Sequence, residues 1–544
     1  MSRRVTKKQY LAPDAPLKFE DHGIPLSRRQ FIRQGFLTGS ATLLSGSMLS
    51  LFANPNLALA DVATDLDLLA NDIGCTLGGV GAGIPFICFD LAGGANLAGS
   101  NVLVGQGLGQ LDTLSTAGYS KLGLPGDMLP LPSQPQAVTT LNPSVDNDFT
   151  NRELGLVFHA DSPMLLGIRE KAQTAIGNID GCVIPARSDN DTANNTHNPL
   201  YALAMTGARG QVVDLIGSRN SDSGGNSMAP PMYIDPEFRP TKVDRPSDVT
   251  GLVDVGDLTA ILGADDVTAV MEAMARVSHK RLKLGTIDTG LGNDAAIKHL
   301  VRCGYIKAAD IAERFGDQPP IDPTLDFRIQ SIFSANELND REFSKTASVM
   351  KMVLNRYAAG GCITMGGYDY HTGDRVTGEN RDLRAGRCIG ACLEYAALLG
   401  QPLMIYVFSD GSVFSNGNTD DSPAPGNGVD GNGNITLGGR GKGQWTGDNS
   451  STACSFILAY NPGGVNLLGN RQIGRMDAGA SVVTSASPAA NNPNLLVNLV
   501  ILNYMALNGQ VAPDNTTAFT DIFPNHGLGG QTSLNNLIAF GPLA

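Results

Sequence analysis

The chain has 544 residues, 42% of them hydrophobic, with 65 glycines and few aromatics (6%) or charges (17%). That is apolar enough for a large core and excludes a generally disordered chain. The formal net charge is −13, but residues 1–60 hold eight Lys/Arg against three Asp/Glu, so the other 31 Lys/Arg and 49 Asp/Glu leave −18. A nucleic-acid binder leans the other way, whereas surplus carboxylates suit cation binding.

The basic N-terminus has an ordered layout. Ser27-Arg28-Arg29-Gln30-Phe31-Ile32 precedes a modestly apolar run, Gly35–Ala53, and then Ala58-Leu59-Ala60. Paired arginines, a glycine- and serine-diluted apolar segment and an A-x-A site, in that order, resemble a twin-arginine export signal. Gly39, Ser40, Thr42, Ser45, Gly46 and Ser47 dilute the run below a span of about 20 apolar residues, which weighs against an uncleaved anchor. The expectation is a mature protein from near Asp61, delivered by the twin-arginine machinery to the periplasm or secreted, with no stable membrane span. The eight cysteines form no C-x-x-C pair and no zinc spacing. Several lie in apolar runs and read as buried thiols, and the spacing specifies no disulfide.

In chain order, Pro85–Leu91 reads as the first core strand, followed by the glycine turn Gly93-Gly94-Ala95-Asn96 and Gly99-Ser100-Asn101. Such a turn is able to cradle an anion on its N–H groups, although a tight turn without a ligand is the default. Residues 105–150, 210–250 and 415–443 are rich in Gly, Pro, Ser, Asn and Asp and read as insertions. Gly177–Pro185 reads as a strand, and His159 and His197 as candidates for a cleft or as plain surface. Helical periodicity runs over Asp257–Leu284, with shorter helices at 295–303 and 308–315 and an amphipathic one at Arg341–Ala359. Asp430-Gly431-Asn432-Gly433-Asn434 has alternating oxygen ligands but lacks the glycine and terminal glutamate of a calcium loop. Trp445–Asn449 precedes a strand at Ala453–Tyr460. Asn494–Leu507 is a helix with Pro493 where a helix start tolerates it.

The stretch with most chemistry is Gly366-Gly367-Tyr368-Asp369-Tyr370-His371, which follows the buried strand Cys362–Met365. In extended backbone Asp369 and His371 point the same way, and a carboxylate beside an imidazole is half of a site for zinc, manganese or iron. An isolated Asp-x-His is more often a turn cap beside a surface histidine. A second strand downstream, Leu403–Phe408, reached through a helix at Arg381–Leu399 and ending at Ser409-Asp410, shifts that balance. Helix–strand–turn–helix–strand order predicts an α/β fold with a mostly parallel central sheet flanked by helices. In such sheets ligands gather beyond the carboxyl ends of the strands, where Asp90, Asp369, His371 and Asp410 all fall.

Taken together these landmarks resemble the DUF1501 family of twin-arginine-exported bacterial proteins, placed in the alkaline phosphatase and sulfatase superfamily. Gly366–His371 matches the family's G-G-x-D-x-H motif in full. Gly93–Asn96 corresponds to its G-G-x-D turn, Phe408-Ser409-Asp410-Gly411 to its Ser-Glu-Phe-Gly strand end, and Asp448-Asn449 to its Asp-His pair. Asn96 and Asn449 replace a charged and an imidazole ligand, and Asp410 is one methylene shorter than glutamate. The resemblance implies an alkaline phosphatase-like α/β domain over residues 61–544. It implies a divalent metal (zinc, manganese or calcium) held by Asp369, His371, Asp410 and Asp448, with Asn96 and Asn449 supplementing. It implies an anionic phosphate or sulfate ester as substrate. Ser100 is the candidate nucleophile, with Thr113, Ser115 and Thr116 as alternatives.

Two readings of function follow: an exported metal-dependent ester hydrolase, or a periplasmic or cell-surface binding and assembly protein that keeps the fold without turnover. A redox protein ranks below both, since no Rossmann, haem or iron–sulfur motif is present.

Overall fold

The computed structural model describes residues 70, 75, 82–131, 139–144, 146–188, 195–253, 264–283, 294–315, 321–469 and 471–543. The expected export signal and the first part of the Asp257–Leu284 periodicity lie outside the described residues.

The strands are β1 (Phe86–Ala92), β2 (Thr150–Leu154), β3 (Leu156–His159), β4 (Ile179–Pro185), β5 (Leu215–Gly217), β6 (Thr241–Lys242), β7 (Gly360–Gly366), β8 (Leu403–Ser409), β9 (Val413–Asp420), β10 (Lys442–Asp448) and β11 (Cys454–Tyr460). Seven of them form the central sheet in the order β4-β11-β8-β1-β7-β5-β6. Only β11 runs antiparallel to its neighbours there; β1 pairs in parallel with both β7 and β8. The protein is thus an α/β fold with a mostly parallel sheet, as the strand and helix order predicts.

β1 lies near the middle of that sheet, and its composition shows why. Ile87, Phe89 and Leu91 face one hydrophobic cluster and Phe86 and Cys88 the other, all fully buried. A strand covered on both faces needs a continuous apolar run instead of an alternating one. On the first face pack the helices α1 (Pro163–Lys171), α2 (Arg341–Leu354) and α3 (Val376–Leu399). On the second face α4 (Pro493–Leu507) is buried along most of its length, capped by Asn492, whose side chain accepts from the Asn494 and Leu495 amides. α1 and α3 cross closely because both carry glycine at the contact; a Cβ on Gly386 would lie 2.0 Å from Met164 O.

Several elements differ from the sequence-based expectation. α3 begins five residues earlier than Arg381, since Arg375 Nε and Glu379 Oε1 pair at 2.8 Å across one buried helical turn. Residues 294–315 form one helix, Asp294–Phe315, and not two short ones. Cys303 on this helix is disulfide-bonded to Cys75, a pairing the spacing did not specify. The 210–250 region supplies β5 and β6 to the central sheet. Most of 415–443 is the body and tip of an antiparallel β9–β10 hairpin. Among the described residues no helix is long and apolar enough to cross a membrane.

Candidate metal centre

The chain crosses from β7 through α3 to β8, passing over β1, so the exits of the three strands share one edge. Gly93, just past β1, has φ +125°, and a Cβ there would lie 2.3 Å from Asp369 N. The bare Cα therefore lets the turn after β1 lie against the turn after β7. Tyr368 N donates to Ala92 O at 3.1 Å and pins the two exits together.

Beyond Gly367 the extended backbone sorts the side chains as predicted. Tyr368 and Tyr370 are buried, while Asp369 is exposed and His371 half-buried on the opposite side. Tyr368 donates to Arg381 O at 2.9 Å, and Tyr370 accepts from the Asn96 amide at 3.0 Å. The Tyr370 ring lies 6.3 Å from that of buried Trp445, on β10, and Gly373 N donates to Trp445 O at 2.9 Å. The hairpin is held against the 368–375 segment in this way, and its last residue is Asp448.

His371 Nδ1 lies 2.5 Å from Asp369 Oδ1 and 2.9 Å from Asp448 Oδ1. One ligand atom from each residue falls within 4.8 Å of the others, the only such group among the described residues. Yet Nδ1 is buried and makes no directed hydrogen bond to either oxygen. A ring nitrogen and two carboxylates converging without a directed hydrogen bond suit a shared cation, and the mixed nitrogen and oxygen donor set fits a divalent ion such as zinc or manganese.

The other expected ligands stand elsewhere or in reserve. Asp410 is outside this cluster: its Oδ1 accepts from Gly93 N at 2.8 Å and its Oδ2 from Asn226 Nδ2 at 3.2 Å. It shapes the turn after β1, and its charge contributes to holding buried Asp90 up at about 6, an effect led by desolvation. Asn449 turns its Oδ1 onto the amide and hydroxyl of Ser451, at 2.6 and 2.7 Å, and so closes a local turn. Asn96 is buried and donates Nδ2 to Val413 O, the register partner of Asp448; its Oδ1 has no hydrogen-bond partner. Ser100 is buried, donates to Leu122 O at 2.8 Å and accepts from Arg375 at 2.9 Å, so its proton is already committed.

Three further expectations resolve in the same way. The amides of Gly93, Gly94 and Ala95 are taken by Asp410 and Ser409, and that of Asn96 by Tyr370, which leaves no anion cradle there. Asp430 accepts from the amides of Asn432 and Asn434 at 2.9 Å, so the calcium-like tract is a self-capped turn. His159 is a buried structural residue, with Nε2 at 2.9 Å from Met128 O and Nδ1 accepting from Asp161 N; burial lowers it to about 4. His197 is also buried and lowered by desolvation to about 4.

Beneath the centre lies a buried charge network that the sequence did not announce. Lys442 Nζ sits 2.5 Å from Glu379 Oε2 and 3.1 Å from Asp161 Oδ2. Arg375 stacks at 4.2 Å on Trp445 and donates to Glu379 and to Gly443 O. Burial alone would raise Asp161, but Lys442 and Arg440 bring it down to about 2. The i,i+4 spacing of Arg375 and Glu379 is the one trace of this network in the sequence. No protein-family model matches the chain, and no curated protein matches it.

Proposed function

We propose that this chain is an exported metal-dependent hydrolase-like protein of the alkaline phosphatase and sulfatase superfamily, related to the DUF1501 family and acting on phosphate or sulfate esters. The observation that carries the reading is the meeting of Asp369, His371 and Asp448, with His371 Nδ1 left without a directed partner. Asp369, His371 and Asp448 would hold the divalent ion, and Asn96, whose Oδ1 has no hydrogen-bond partner, would supplement them. A bound divalent ion supplies Lewis-acid polarisation of an ester oxygen. Tyr370 and Trp445 fix the direction of the motif from below, and Gly93 admits its backbone. The Cys75–Cys303 disulfide suits an oxidising compartment, in keeping with export to the periplasm.

A second reading, a binding or assembly module without turnover, is favoured by Ser100, whose hydroxyl is buried and committed. One experiment separates the two. Bound metal is measured on the purified chain and on Asp369→Ala and His371→Ala, alongside hydrolysis of aryl phosphates and aryl sulfates. Stoichiometric metal with turnover, both lost in the variants, supports the hydrolase. Metal without turnover supports the module, and a metal-free parent protein removes the metal site and with it the hydrolase reading.

A further inference from the structure

A cleft of about 600 Å³ lies between the first turns of α3 and the tip of the β9–β10 hairpin, and its lining includes none of Asp369, His371 and Asp448. Three arginines, 381, 384 and 387, line it, against two aspartates, 340 and 430. The pairing of these charges is uneven. Arg384 pairs with Asp340, Arg387 pairs with Glu170 at 2.6 Å, and Asp430 is taken by the amides of its own turn. The Arg381 guanidinium has neither an ion pair nor a hydrogen-bond acceptor among the described residues. It rests instead against Gly367, where a Cβ would come within 2.8 Å of its Cζ.

We propose that this cleft is a binding site for a small organic anion, with Arg381 gripping the anionic group. An unpaired fork of N–H donors matches a carboxylate, sulfate or phosphate in two-point contact. The N-terminal end of a long helix adds partial positive charge along the same wall. The volume exceeds what a bare inorganic anion fills and falls in the range of small-molecule sites. Val376 and the exposed Ile435 offer apolar surface on opposite walls for the organic body. The floor is fixed, because Asn380 bonds the carbonyl and amide of Leu437 at 2.8 and 2.9 Å and locks the hairpin tip to the helix. The cleft is therefore preformed, and the ligand class follows from a guanidinium in its wall that the described residues leave without a counter-charge.

The test is calorimetric titration of the chelator-treated protein with 2-naphthyl phosphate, 2-naphthyl sulfate and 2-naphthoate, with 2-naphthol as the neutral control. At least one anion is expected to bind, and the naphthol much more weakly. Loss of a charged hydrogen-bonding partner predicts an affinity drop of about ten- to a hundredfold for Arg381→Ala. Arg381→Lys should recover part of it, and the order among the three anions identifies the preferred group. Ile435→Trp, on the opposite wall and exposed, should also weaken binding by filling the cleft. His371→Ala should leave the affinity unchanged, which separates this site from the metal centre. Equal binding of naphthol, unchanged binding in Arg381→Ala or in Ile435→Trp, loss of binding in His371→Ala, or no binding of any of the three anions would each overturn the assignment.

Discussion

His371 Nδ1 and Asp448 Oδ1 stand 2.9 Å apart although one residue follows β7 and the other closes β10. The contact exists because the hairpin packs its Trp445 under Tyr370, so the inward-facing tyrosine sets the position of the outward-facing histidine. If the pair grips a cation, removing either side chain has a defined cost. Changes to residues that merely support ligands cost about 10–100-fold in metal affinity, and His371→Ala or Asp448→Asn should cost at least as much. Competition with a chromogenic chelator measures it; parent-like affinity in both variants would rule the centre out.

Gly93 is the hinge of that arrangement. Gly93→Ala places a methyl 2.3 Å from the Asp369 amide at a φ that side chains rarely adopt. The expected loss is roughly 1–3 kcal/mol of stability, together with weaker metal binding, as Asp369 is displaced. Chemical denaturation and metal content report the two effects. A fully stable variant with full metal content would contradict the packing described.

Lys442 is fully buried between Glu379 and Asp161. Lys442→Met leaves both carboxylates short of a cation, and breaking a buried pair from one side costs about 3–5 kcal/mol. The remaining contacts of Arg375 with Glu379 and of Arg440 with Asp161 favour the lower end of that range. Urea denaturation of the variant is the measurement, and a loss below about 1 kcal/mol would mean the network contributes little.

Asp382 is buried beside Tyr370. Desolvation and the neighbouring Glu379 raise it to about 7, with Asn101 and Arg375 pulling the other way. A carboxyl that holds its proton longer in the folded state makes stability fall as pH rises from about 4 to about 7. Asp382→Asn removes that loss, so the variant should gain on the parent steadily through this window. Melting temperatures at pH 5 and pH 8 compare them, and an offset that does not change with pH would refute the assignment.

The Cys75–Cys303 bond joins segments far apart in sequence, whereas the other six cysteines are free and buried. Reduction should lower stability by about 2–5 kcal/mol. Cys303→Ser should show the same loss and no further response to reductant. A parent protein indifferent to reductant under denaturing titration would argue against the bond.

Much of the fold was legible because fully buried strands announce themselves. Phe86–Leu91, Cys362–Met365 and Leu403–Phe408 are apolar on both faces, interrupted only by Asp90 and Thr364, and helices between them imply parallel crossovers. The Asp-x-His motif was legible too, since extended backbone fixes which side chains share a face. The local bonds of Asp410 were not legible: its place at a strand end gives no sign that Gly93 N and Asn226 would claim its oxygens. The bonds of Asn449 and Ser100 were hidden in the same way, because a polar side chain beside a turn satisfies nearby partners first. The Arg381 cleft had no signal, since it depends on where the hairpin tip comes to rest.

Local chemistry, then, was written into the chain itself: which segments are strands, which faces they bury, and that Asp369 and His371 look the same way. Which distant groups meet them was decided only in three dimensions. The strand order brings β1, β7 and β8 to one edge, while the packing of Trp445 under Tyr370 selects Asp448 and leaves Asp410 to its turn. The reason is physical: backbone periodicity acts over a few residues, whereas a ligand set depends on which buried surfaces are complementary across the whole core.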